Sequence, residues 1–298
     1  MKVLITGGNG NIAKLIKNGL SSEFSIYAPS RNELNVLNFT DLQTFLLNHQ
    51  FDILIHTCIL GGRRTKEENG DVSHTNILMF EHILKFEKHF KMIINLDSGA
   101  IYDRKTDILN RKEDELITVP EDYYGFSKYV IYNRSLSFSN IFNFRIFNIF
   151  HENEEPSRFI ASCFDAKNKN KQIDIHEDKT FDFMYKDDFI KIVRFYLQNV
   201  DNLSILEKTI NIGYDQKYNL SDIAKMILDI CADKCNSYNT DEICESENNN
   251  YSQINIIVNK SSNNYSGCVN KLYAYNIEFD GLKKGLSKYA ENIYKKNM

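Results

Sequence analysis

The sequence predicts an α/β protein built on a doubly wound parallel sheet, with a smaller α/β unit towards the C-terminus. Three observations carry this. Short apolar, β-branched runs alternate with amphipathic segments through the first half of the chain. The links between them are short, as right-handed β–α–β crossovers require. A glycine-rich turn joins the first run directly to the first amphipathic segment.

The first strand is "KVLITG", residues 2–7. The helix after it, 11–20, places Ile12, Leu15, Ile16 and Leu20 at helical spacing. "FSIYAP" at 24–29 reads as a second strand, and 40–49 as a helix with Thr40 as its cap. "FDILIHTC" at 51–58 is a third strand, 76–89 a helix, and "KMIINLDS" at 91–98 a fourth strand. A helix starts near Tyr123, and the apolar run at 140–150 reads as a fifth strand. Further on, 209–231 reads as a strand, a turn at Gly213 and a helix capped near Ser221. Residues 245–264 are rich in Asn and Ser and read as loop around a short strand at 253–258, before a closing amphipathic helix at 280–296. The pattern is that of a Rossmann domain over 1–165, with a return segment near 180–212, and a second domain over most of 166–298.

Composition narrows the function classes. The chain has 298 residues, 42% hydrophobic and 26% charged, enough for a full core. A net charge of −4 without a basic block argues against a nucleic-acid partner. No apolar run approaches the ~20 residues of a membrane span. No charged segment leads into a long apolar one at the start, so a cytoplasmic setting is expected. The six cysteines are scattered and read as reduced thiols. Cys231, Cys235 and Cys244 cluster but lack a fourth ligand, so no metal site is expected.

The turn "TGGNGNIA" at 6–13 is the first chemical signal. Glycines let backbone pass under a pyrophosphate, and the following helix offers free N–H groups and a partial positive charge. Gly7 and Gly10 fit this task, with Asn11 and Ile12 opening the helix and Ala13 allowing close helix–strand packing. A plain βα turn is the competing reading; the strand-first, helix-after context favours a dinucleotide. The second strand ends in "APSRNELN", where an NAD site usually carries an acidic residue for the ribose 2′-hydroxyl. Ser30 and Arg31 stand there instead, and a cation suits a 2′-phosphate, so NADP(H) is preferred and NAD(H) possible. Glu33 bears on that choice, and Asn38 is a further cofactor candidate.

The second signal is "EDYYGFSKYVI" at 121–131, in which Tyr124 and Lys128 share a helix face. A free phenol has a pKa near 10 and is a poor acid or base at neutrality. A neighbouring ammonium lowers that pKa and makes the phenol a workable proton shuttle. Ser98 closes the fourth strand, at the edge where such sheets bind ligands, and is the hydroxyl that completes the set.

Taken together, these segments resemble the extended short-chain dehydrogenases/reductases that modify nucleotide sugars, the NAD-dependent epimerase/dehydratase family. "MKVLITGGNGNIA" resembles the cofactor loop, "DSGAIYD" the serine segment and "YYGFSK" the catalytic helix. "FRIFNIF" resembles the strand whose Asn, here Asn148, lies beside the substrate diphosphate. "FDFMYKDD" and "INIGYDQKYNLSDIA" resemble later landmarks, so the similarity runs nearly end to end. Residues 30–62 are most similar to GDP-L-fucose synthase and related 4-ketoreductases. The resemblance implies Tyr124 as general acid, Lys128 on the nicotinamide ribose and tuning Tyr124, and Ser98 on the sugar oxygen. It implies Gly99, Asn148, Arg158 and Arg63 at the substrate, the C-terminal domain as the substrate-binding one, and a homodimer through helices at 76–89 and 123–137. Asn76 is expected to be a buried group supporting the site, Tyr123 packing or pocket wall, and His151 structural.

The departures are informative. Fucose synthases also epimerise C3 and C5 with a Cys and a His. Ala100 and, by a loose alignment, Arg158 stand at those positions, and neither moves a proton at neutral pH. Phe181 replaces an Arg that grips the diphosphate in many relatives, leaving Arg158, Arg63 or Lys179 for that work. The expected activity is therefore NADPH-dependent reduction of a C4 ketone on a nucleotide-linked 4-keto-6-deoxy sugar, GDP preferred, without epimerisation. A separate dehydratase and epimerase would act upstream, in surface-glycan precursor synthesis. A 4-epimerase or 4,6-dehydratase with tightly held NAD is the alternative, although Gly99 and Ala100 replace the acidic pair of dehydratases. A non-catalytic cofactor sensor of the same fold would commonly lose the Tyr–Lys pair, which is intact here.

Overall fold

A computed structural model describes residues 1–62, 67–237 and 256–296. The expected alternation is present. β1 (Lys2–Thr6), α1 (Asn11–Leu20), β2 (Ser25–Tyr27), α2 (Phe39–Asn48), β3 (Ile53–His56), α3 (Gly70–Leu84) and β4 (Met92–Ser98) follow in order. Then come β5 (Ile108–Arg111), α4 (Tyr123–Ser135), β6 (Ile141–Ile146), β7 (Ile149–Phe150), α5 (Phe159–Asn168), β8 (Ile173–Ile175), β9 (Met184–Tyr185), α6 (Lys186–Gln198) and β10 (Thr209–Ile212). The chain continues through α7 (Leu220–Ser237), β11 (Ile256–Val258), β12 (Tyr265–Gly267), α8 (Asn270–Tyr273) and α9 (Gly281–Lys296).

The main sheet has six parallel strands in the order β10-β6-β4-β3-β1-β2. The strand order reverses between β1 and β3, and crevices at such switch points bind ligands at the carboxyl ends of the strands. Strands β1, β3 and β4 are buried on both faces, which is why they read as unbroken apolar runs. Three two-stranded pairs, β11-β8, β12-β5 and β7-β9, lie outside this sheet. The β5–β12 pair ties residues 108–111 to 265–267 and so brings the C-terminal part of the chain over the end of β4.

Several boundaries differ from expectation for local reasons. The expected strand at 140–150 breaks into β6 and β7, because the Asn148 carbonyl turns away to accept the Met184 N–H at 2.9 Å. Asn38, not Thr40, caps α2, its Oδ1 accepting the Thr40 and Asp41 N–H groups at 3.1 and 3.3 Å. Helix α3 starts earlier than residue 76, capped by Asn69, and ends at Leu84. Ser221 lies just inside α7, its hydroxyl donating to Asp178 at 2.7 Å. The short strand expected at 253–258 is described from Ile256 and pairs with β8.

Candidate active site

The cofactor end is built by the β1–α1 turn. Gly7 has φ +72°, and a Cβ there would stand 3.0 Å from Cys58 Sγ. Gly8 is held tighter still: its N–H donates to the Pro29 carbonyl at 2.9 Å, and a Cβ would lie 2.0 Å from the Ala28 carbonyl oxygen. Gly10 takes the cap position of α1 in extended conformation with no side-chain cap, so the helix's first N–H groups are left for a ligand. Gly10, Asn11 and Ile12 face a cleft of about 560 Å³. The buried Ala13 packs on the sheet. These features fit a dinucleotide pyrophosphate. Arg31 is exposed at the end of β2, close enough for its charge to pull the Cys58 thiol down against the burial that raises it. Glu33 folds back to accept the Ser30 N–H at 2.7 Å, and that bond holds its carboxyl below the usual range. Asn38 spends its side-chain oxygen on the α2 cap.

The same cleft collects Ser98, Tyr124 and Lys128. Ser98 ends β4 and its Oγ accepts the Ala100 N–H at 3.2 Å. Helix α4 begins where it does because Asp122 caps it, accepting the Gly125 N–H at 2.8 Å. Gly125 admits no side chain, since a Cβ would lie 2.8 Å from the Ala100 carbonyl oxygen. One turn on, Lys128 Nζ donates to the Leu96 carbonyl at 2.5 Å and stands 5.8 Å from the Tyr124 ring centroid. Burial pushes the Lys128 ammonium down to about 8, against the pull of Asp97. Burial also raises the Tyr124 phenol above its ordinary value. Among the groups that draw it back are the Ser98 hydroxyl and, more weakly, the Arg104 guanidinium.

Asn148, Arg158, Lys179 and Phe181 also line the cleft. Asn148 sits in the bend between β6 and β7, and its Oδ1 is buried with no hydrogen-bond partner among the described residues. Such an orphaned acceptor is costly unless a ligand meets it. Arg158 stands at the start of α5 with Nε 3.9 Å from the Glu154 carboxylate. The Lys179 side chain is largely buried and bonds Glu177 at 3.1 Å. Phe181, where relatives often have Arg, packs between Phe183 and Tyr265 at centroid distances of 4.9 and 5.0 Å. Gly99, expected at the substrate, is buried, and a Cβ there would lie 2.6 Å from the Phe147 ring, so close packing accounts for a glycine here. Arg63 lies outside the described residues.

Supporting groups behave as expected. Asn76 is buried, with Oδ1 accepting the Leu60 N–H and Nδ2 donating to the Leu60 carbonyl and Ser127 Oγ. Ser127 in turn donates to the Tyr124 carbonyl at 2.7 Å, so one residue ties the loop after β3 to the start of α4. His151 is buried and accepts the Asn153 N–H at 3.2 Å, a structural role. No cluster that could hold a metal occurs among the described residues. Cys231 is a buried thiol that accepts the Tyr294 hydroxyl at 3.5 Å, whereas Cys244 and the Cys235 side chain lie outside the description.

Sequence reasoning missed three neighbours of Tyr124. Gly62, with φ +81°, packs its Cα against the ring, and a Cβ would meet Cε2 and Cζ at 3.0 Å. Arg104 lies with Cζ 6.0 Å from the ring centroid. Tyr265 arrives from β12. A signal for Arg104 was available, since it directly follows the serine segment; Tyr265 carries none.

Comparison with known proteins agrees with this geometry. Residues 3–213 match the model of the NAD dependent epimerase/dehydratase family. The chain is 22% identical over 259 residues to GDP-L-colitose synthase of Yersinia pseudotuberculosis, covering 77% of this chain and 82% of that one. Its fold is similar to GDP-mannoheptose C4 reductase from Campylobacter jejuni with NADP bound, with TM-score 0.76, 16% identity and coverage of 99% and 98% of the two chains. It is similar also to dTDP-4-dehydrorhamnose reductase from Bacillus anthracis in complex with NADP, with TM-score 0.76, 15% identity and 98% of each chain covered. With the family's segments matched through the whole main sheet, and the glycine turn, Ser98, Tyr124 and Lys128 on one cleft, the chain belongs to the NAD-dependent epimerase/dehydratase family.

Proposed function

We propose that this protein reduces the C4 ketone of a nucleotide-linked 4-keto-6-deoxy sugar, preferentially GDP-linked, with NADPH and without epimerising C3 or C5. The observation that carries the reading is the convergence of Ser98, Tyr124 and Lys128 with the start of α1 on one cleft. A bound nicotinamide supplies hydride to C4. The chain's own residues do the rest. Ser98 donates to the ketone oxygen and orients it. Tyr124 gives its proton to that oxygen as negative charge develops there. Lys128 holds the cofactor ribose. Asn148, through its Nδ2 donor, and the cations Arg158 and Lys179 secure the nucleotide diphosphate in place of the arginine replaced by Phe181.

GDP is favoured because the colitose synthase and mannoheptose reductase are both named for GDP-sugars. NADP is favoured by Arg31 and by the NADP in the two similar structures. Loss of epimerisation follows from Ala100, a buried residue on the cleft wall with no group to carry a proton. One observation favours the alternative, an epimerase or dehydratase with tightly held NAD: the Glu33 carboxylate sits at the end of β2, where an acidic residue would bind the ribose 2′-hydroxyl. On the favoured reading the residues outside the main sheet form most of the substrate-binding part. The enzyme works in the cytoplasm as a homodimer through α3 and α4, making a capsule or lipopolysaccharide precursor after a separate dehydratase and epimerase. Among the described residues no helix is long and apolar enough to cross a membrane.

The test is NADPH oxidation with freshly prepared GDP-4-keto-6-deoxymannose, wild type beside Tyr124→Phe. Turnover that falls by roughly 10²-fold or more in the variant supports the reading. NADP(H) absent from the wild-type reaction, with NAD retained through purification, moves the assignment to the epimerase.

A further inference from the structure

We propose that Arg104 is a positioning residue that poises Tyr124 for proton transfer from the substrate side of the cleft, with Asp122 setting the strength of its charge. The inference rests on the ketoreductase reading above and adds to it a group outside the Ser–Tyr–Lys set.

The geometry is specific. Arg104 follows Asp103, whose φ of +65° turns the chain out of the short helix at Gly99–Tyr102. Its guanidinium carbon then lies 6.0 Å from the Tyr124 ring centroid, and the residue lines the cleft beside Tyr124. Asp122 takes Nη2 at 2.6 Å. The pair is partly buried, with side-chain exposures of 23% and 29%, so its field is only partly screened. Lys128 Nζ lies 5.8 Å from the same ring centroid and donates to the Leu96 carbonyl.

The chemistry follows. As hydride reaches C4, the ketone oxygen becomes negative, the Tyr124 O–H bond breaks, and the proton passes to that oxygen. A phenolate is left behind, buried. Arg104 faces that phenolate and favours it, which makes Tyr124 a stronger acid. The other charged or titratable groups around Tyr124 among the described residues are Asp97 on β4, Lys128 on α4, Tyr265 on β12 and, through Arg104, Glu68. The Asp97 carboxylate opposes the phenolate, and the Arg104 guanidinium, after the larger pull of the Ser98 hydroxyl, acts in its favour. Asp122 also caps α4, which couples the position of Tyr124 to the charge beside it.

The experiment is the pH dependence of kcat for wild type, Arg104→Met, Arg104→Lys and Asp122→Asn, with NADPH and GDP-4-keto-6-deoxymannose. Arg104→Met removes the cation, so the phenol stays protonated to higher pH. Its alkaline limb moves up by about 1 unit and kcat falls roughly tenfold. Arg104→Lys restores most of both. Asn caps a helix about as well as Asp, so Asp122→Asn keeps α4 while leaving Arg104 less compensated, and the limb moves down. Opposite shifts in the two variants support the proposal. A limb unmoved in Arg104→Met, or moved upward in Asp122→Asn, overturns it; if Arg104→Met fails to fold, the direction in Asp122→Asn decides. Wild type that turns over no ketosugar removes the ketoreductase reading and this inference with it, an outcome distinct from an unmoved limb.

Discussion

Replacing Asp97 by Ala should destabilise the protein more than any other single change at the site. Asp97 and Arg145 lie opposite each other on β4 and β6 and are bonded Oδ2 to Nε at 2.8 Å. Their side chains are 1% and 0% exposed. Arg145 is sandwiched with Cζ 4.7 Å from the centroids of both Tyr102 and Tyr132. Its Nη1 donates to the Tyr102 hydroxyl at 2.6 Å and the Glu113 carbonyl at 2.8 Å, both uncharged acceptors. Burial raises the Glu113 carboxyl, and that carboxyl accepts the Asn211 N–H, so it is a poor substitute counter-charge. Removing one partner of a buried pair costs about 3–5 kcal/mol, because the other charge remains. At about 2 °C per kcal/mol for a chain of this size, Tm should fall by about 6–10 °C. Replacing both partners, Asp97→Leu with Arg145→Met, should cost far less, since burying the two charges has its own penalty. Thermal and urea unfolding followed by circular dichroism measure both. Asp97→Ala within about 1 kcal/mol of wild type would refute the reasoning.

Other predictions concern the cleft. Burial holds the Lys128 pKa at about 8, below its ordinary value of 10.5. For a lysine with a lowered folded pKa the unfolded chain binds more protons between those values, so stability rises with pH there and the penalty is largest below pH 8. Lys128→Met should therefore abolish turnover yet stabilise the fold at pH 7 by up to about 3 kcal/mol, an advantage that vanishes as pH approaches 10.5. Unfolding curves at several pH values check this, and a destabilised variant at pH 7 would contradict it. Gly8→Ala drives a Cβ into the Ala28 carbonyl and should abolish NADPH binding, read by fluorescence titration. Gly62→Ala presses on the Tyr124 ring at a position with φ +81°, so it should lower kcat and also cost about 1 kcal/mol or more of stability. Arg158→Ala and Lys179→Ala should each raise KM for the nucleotide sugar by roughly tenfold with kcat nearly unchanged, the signature of lost uniform binding.

The parts of the site that were legible in the sequence are those whose logic is local. The β1–α1 turn and the Tyr124–Lys128 pair each lie within one turn and one helix, where spacing alone sets geometry. The alternation of buried strands and amphipathic helices was legible for the same reason. Residues brought together by the tertiary fold were not. Tyr265 reaches Phe181 and Phe147 only because β12 pairs with β5. The Asp97–Arg145 pair depends on the register of β4 against β6, which the apolar pattern of two fully buried strands does not specify. The burial that raises the Tyr124 phenol was not legible either, since a helix wheel shows which groups share a face but not how dry that face is. Asn38 shows a second use of one side chain: its oxygen caps α2, a role the sequence reading gave to Thr40.

The account's central claim is hydride delivery to C4 with Tyr124 supplying the proton. The most direct measurement uses NADPH deuterated at the transferring nicotinamide position, with GDP-4-keto-6-deoxymannose in ordinary water, and proton NMR of the product. The account predicts deuterium at C4 of the sugar with C3 and C5 unchanged in configuration, and no such product from Tyr124→Phe. A product without deuterium at C4, or one with inverted C3 or C5, would contradict it.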